Sequence, residues 1–142
     1  PIHEEEAQRV MAAYYRTRVS KNARQILDQA MHIALSERLV RRQGAFLWSL
    51  TMRVPPVRRH GEESPVSKPE LIAPEELQEA VKAVLANEFG LREDALIVST
   101  SRVLGYRRCG ANLEAAIRQA VRDLLTQNTL THDSEGFLKV RS

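Results

Sequence analysis

Ile26, Ala30 and Ile33 recur at helical spacing, as do Ile117, Val121 and Leu124, and Leu27, Ala34, Ala120 and Leu125 widen each stripe to the breadth of a core-facing helix. The spacing predicts helices over 22–35 and 112–125, each burying that face. Ahead of them, helices are expected over 4–15 and 94–104, the latter ended by Gly105, and a further helix over 74–89 has Pro74 in its first turn and Gly90 beyond its end. After them, 39–48 and 130–140 read as pairs of short strands around a glycine-containing turn.

Pro55, Pro56, Pro65 and Pro69 crowd the stretch between these two runs. Proline lacks a backbone donor and pushes its predecessor out of α geometry, so 53–71 reads as a semi-rigid linker between unit one, 1–52, and unit two, 72–142. The units share one pattern, Arg9 matching Arg102, and Ile26 through Phe46 matching Ile117 through Phe137, which reads as an internal repeat. Two helices joined by a tight turn and followed by a hairpin describe a winged helix-turn-helix. The expected fold is mainly α with small β-hairpins (α+β): two tandem winged-helix units. Unit one lacks a counterpart of helix 74–89. Pro1-Ile2 is its expected opening strand, and its incomplete core invites cover from unit two or from another copy of the chain in a homo-oligomer.

Composition narrows the function classes. With 43% hydrophobic and 27% charged residues in 142, the chain has the makings of a packed core, and no apolar run is long enough to span a bilayer. Its single cysteine, Cys109, forms no internal disulfide, and the four histidines show no zinc-ligand spacing, which fits a reducing cytoplasm, no cofactor and no structural metal. The absence of an initiator Met suggests a piece of a longer polypeptide. Unit one holds eight Lys/Arg against five Asp/Glu, whereas 72–142 holds nine against ten, so positive potential is concentrated in the first unit.

Several segments resemble an uncharacterised domain family found at the C-terminus of large superfamily 1 helicase-like proteins. They are 1–6 leading to Arg9-Val10, the run 44–48 with Phe46 and Trp48, and above all 104–110, where Cys109 stands in place of the family's usual Thr. The resemblance implies a parent that combines an ATP-driven helicase with a Vsr-like endonuclease and acts in bacterial defence. No phosphate-cradling loop and no carboxylate cluster for magnesium occur here, so the chain reads as a non-enzymatic accessory piece without catalytic residues.

The candidate surface is basic. In a winged helix the start of the helix after the turn enters the major groove while the wing follows the backbone. In unit one, Arg24, Gln25, Asp28 and Gln29 stand where side chains reach base edges. Arg16, Arg18, Lys21, Arg41 and Arg42 are phosphate-type contacts, with Arg38 at the hairpin base. Unit two offers Arg107, Arg108, Arg118 and Arg122, but its wing tip, His132 to Glu135, is acidic and repels phosphate. The competing reading is a protein-docking or self-association module that does not touch nucleic acid. Trp48 is expected to pack at the edge of its unit. Glu4, Glu5 and Glu6 fit the first turn of a helix, at least one of Tyr14 and Tyr15 belongs in the core, and Cys109, with two arginines beside it but no partnered His nearby, is not a convincing nucleophile.

Overall fold

Five α-helices, one 3-10 turn and two small antiparallel sheets form the regular structure of residues 1–16, 18–60 and 68–141, which the computed structural model describes. The chain is mixed α+β and divides into two units, Pro1–Arg53 and Val54–Ser142. No helix among the described residues is long and apolar enough to cross a membrane.

In the first unit, β1 (Ile2–His3) leads into α1 (Glu4–Tyr14), followed by α2 (Lys21–Ser36) and a hairpin of β2 (Val40–Gln43) and β3 (Phe46–Ser49). The sheet order is β1-β3-β2, all antiparallel, with Ile2 and Arg42 on either side of Leu47. His3 caps α1, its Nδ1 accepting the Glu5 N–H at 3.1 Å, and Glu4, Glu5 and Glu6 fill the first turn, where unpaired N–H groups favour carboxylates. Ser20 caps α2 through the Ala23 N–H. The core is thin: Ala7, Met31 and Leu47 are buried together, with Ile2, Met11, Leu35 and Val40 packed around them. Trp48 is also buried.

The second unit opens with a 3-10 turn (Pro69–Leu71) and α3 (Pro74–Ala86), then α4 (Glu93–Val103), α5 (Ala111–Thr126) and a hairpin of β4 (Leu130–His132) and β5 (Leu138–Val140). Leu91, just ahead of α4, pairs with Leu138. Here the core is large: α3 gives Leu77, Ala80, Val81, Val84 and Leu85, which meet Leu96, Ile117, Val121, Leu124 and Leu138. Helix α3 stops at Ala86 rather than at Phe89, because Asn87 turns its side-chain amide back onto Ala83 O at 2.9 Å; Phe89 stands fully exposed.

Part of the stretch expected as a linker belongs to this second unit. The His60 N–H donates to Leu104 O at 2.6 Å, Val57 packs on the core, and the Arg58 N–H donates to Glu76 Oε1 at 2.9 Å. Residues 61–67 lie outside the described residues.

Matched element by element, α1 and α4 have the same length, as do α2 and α5. The residue closing the first helix is left-handed in both units, Arg16 (φ 51°) and Gly105 (φ 88°), as is the residue ahead of each hairpin, Arg38 (φ 54°) and Asn128 (φ 57°). This register corrects the sequence alignment. Glu4 matches Glu93, so Arg9 meets Val98 rather than Arg102, and Lys21 matches Ala111, so Leu27, not Ile26, meets Ile117. The expected core stripe of the first unit is corrected with it: Leu27 and Met31 are buried, while Ile26 is 65% and Ile33 58% exposed. A slip of one residue turns a helix by about 100°, enough to move a side chain off the core. Tyr14 and Tyr15 are both exposed and stack edge to face on each other, so neither enters the core.

Candidate nucleic-acid interface

The turn between α1 and α2 and the first turns of α2 carry exposed cations in the first unit. Arg16, Arg18, Lys21 and Arg24 are exposed, as is Gln25. Lys21, Gln25, Asp28 and His32 follow one another at helical spacing along one exposed side of α2. Arg24 lines a cleft with His3, Glu4, Glu5, Gln8 and Val19, so two carboxylates share its surroundings. Gln8 donates to Asp28 Oδ1 at 2.7 Å, which occupies one residue of the expected base-reading set.

The hairpin cations are engaged within the unit. Arg41 donates to Met52 O at 2.9 Å and to Gln43 Oε1 at 3.1 Å, with its guanidinium 4.5 Å from the Trp48 ring centre. Arg42 Nε pairs with Glu4 Oε1 at 2.6 Å, tying the hairpin to the start of α1. Arg38 is exposed at the end of α2.

In the second unit Arg107 and Arg108 are exposed in the turn ahead of α5 and have no hydrogen-bond or ion-pair partner among the described residues. Arg118 lies among three carboxylates, Glu93 at 2.8 Å, Glu114 at 2.9 Å and Asp94 at 3.5 Å. Arg122 donates to Gln119 Oε1 at 2.7 Å. The acidic tip of the β4–β5 hairpin has an internal use. Asp133 Oδ1 accepts the Glu135 and Phe137 N–H groups and Oδ2 pairs with Lys139, and these bonds hold its carboxyl below the usual range. The structure therefore leaves the turn cations of each unit exposed and sets Arg41, Arg42, Arg118 and Arg122 to internal contacts.

Cys109 is half-buried in the second turn, and burial pushes its thiol up, with a Ser101 hydrogen bond acting the other way and Glu114 adding to the rise. The two neighbouring arginines do not lower it, in keeping with a cysteine that is not a nucleophile.

One cluster escaped the sequence reading. Glu76, in the first turn of α3, is fully enclosed; Arg58 grips it with Nε at 3.2 Å and Nη2 at 2.8 Å, and His60 Nε2 stands 2.8 Å from Oε1. An ionised carboxylate only accepts, which places the His60 proton on Nε2. Burial pushes the Glu76 carboxyl up, but the hydrogen bonds from His60 and Arg58 outweigh it and hold the group at about 2. The available signal was position: Glu76 stands one turn ahead of Ala80 on the apolar stripe of α3, where an unpaired carboxylate has no place.

A scan of protein-family models, a search of curated proteins and a search of solved structures each return no match to this chain.

Proposed function

We propose that the chain is a tandem winged-helix module that binds DNA and serves as a non-catalytic accessory part of a larger helicase- or nuclease-type protein. The observation that carries this reading is the exposed cations ahead of the second helix of the helix–turn–helix in both units. Arg18 and Lys21 flank the N-cap Ser20 of α2, and Arg107 and Arg108 precede the N-cap Gly110 of α5. Phosphates favour such a place because the helix start presents unpaired N–H groups and cations draw the backbone in. In this reading Arg16, Arg18, Lys21, Arg24, Arg107 and Arg108 meet phosphate, Gln25 faces the bases, and Arg41, Arg42, Arg118 and Arg122 shape the surface.

Titrating duplex DNA into the chain at two salt concentrations tests this. Binding should weaken with salt, with a log–log slope of about −0.9 per phosphate contacted, and alanine at Arg18, Lys21, Arg107 and Arg108 should remove it. Absence of binding at low salt would leave the second reading, a protein-docking module, which the exposed Ile26 and Ile33 favour.

A further inference from the structure

We infer that the first unit is the receptor for an amphipathic α-helix from outside residues 1–142, which docks on the second apolar face of α2. Helix α2 has two apolar sides. Leu27 and Met31 face the core, while Ile26, Ala30 and Ile33 form a separate exposed stripe. Such a stripe costs solubility and gives nothing to a free domain.

The second unit shows what covers the matching side. Residues Ala116 and Ala120 of α5 match Ile26 and Ala30; they are half-buried and buried, in a helix whose main packing partner is α3, while the match of Ile33 is the half-buried Asp123 at the edge of that side. The 3-10 turn ahead of α3 is anchored by polarity as well, because Asn112 donates to Glu70 Oε1 at 2.9 Å. Asn22 holds the same place in α2 and has no partner among the described residues. The occupant is therefore a helix of the α3 kind: aliphatic residues at i, i+3, i+4 and i+7, preceded by a carboxylate for Asn22.

A second copy of the chain does not supply the helix, because its α3 is held in its own core and by the Glu76 grip.

A synthetic peptide of residues 68–87, titrated into the isotope-labelled full chain, is the probe. Saturable binding is expected, with resonance shifts confined to α1, α2 and the hairpin, and Ile26→Glu or Ile33→Glu should weaken it by about tenfold or more. Shift mapping on the unaltered chain does not depend on the variants. No saturable binding, shifts confined to the second unit, or affinity unchanged in both variants would overturn the proposal. So would a dimer in sedimentation that Ile26→Glu dissolves, since the face would then belong to a second copy.

Discussion

The His60 N–H donates to Leu104 O at 2.6 Å, and this bond lays the His60 carbonyl over Gly105 so closely that a Cβ there would overlap its oxygen. Gly105 also sits at φ 88°, a conformation L side chains rarely adopt. Strain and overlap act together, so Gly105→Ala should destabilise the second unit by roughly 2–4 kcal/mol. Urea denaturation followed by circular dichroism measures the loss; a change within experimental scatter would mean that the 54–60 segment is not held there.

Acid should weaken the same unit. The Glu76 carboxyl is held at about 2, below its ordinary 4.5, so the unfolded chain takes up this proton first as pH falls. Its stabilisation is thus complete above about pH 4.5 and is lost as pH drops towards 2, a change of about 3 kcal/mol. Glu76→Gln should lower stability at neutral pH and flatten the acid-side slope. A variant that keeps the wild-type slope between pH 4.5 and 2 would assign it to other carboxylates.

The cations should separate by function in DNA titrations. Arg107→Ala with Arg108→Ala should make the salt slope shallower by about 0.9 for each phosphate contact removed. Arg118→Ala should leave the slope unchanged, because that guanidinium already lies among Glu93, Asp94 and Glu114. The reverse ranking would place the DNA along the body of α5 rather than at its start.

Neighbouring residues of α2 should differ sharply. Leu27 is 6% exposed and Ile26 65%. Leu27→Ala should cost about 2–4 kcal/mol, and Ile26→Ala less than about 0.5, as measured by thermal unfolding. Equal costs would restore the original stripe.

That contrast also shows how far the sequence could be read. The helices and both hairpins were legible because apolar spacing, prolines and glycines are local signals. Register was not. The turns between elements differ by single residues, and the sequence match of Ile26 to Ile117 looked better than the true partner, Leu27, because all three residues are aliphatic. Tyr14 and Tyr15 misled for a related reason. In the second unit the matching Leu104 is buried, but the first unit has no helix equivalent to α3 beside them. In the candidate site the turn cations were visible as sequence, while the engagement of Arg41, Arg42, Arg118 and Arg122 depended on carboxylates, carbonyls and an aromatic ring brought close only by folding.

The place of Arg41 over Trp48 has an optical consequence. Trp48 is the chain's one tryptophan, and it is 2% exposed with a guanidinium against its face. Its emission is therefore a single-site signal from the first unit, blue-shifted while the hairpin is closed and red-shifting when water reaches the indole. Without any label, the chain carries a fluorescent reporter of its first unit alone, which, read beside the circular dichroism of the whole, separates opening of that half from melting of the other.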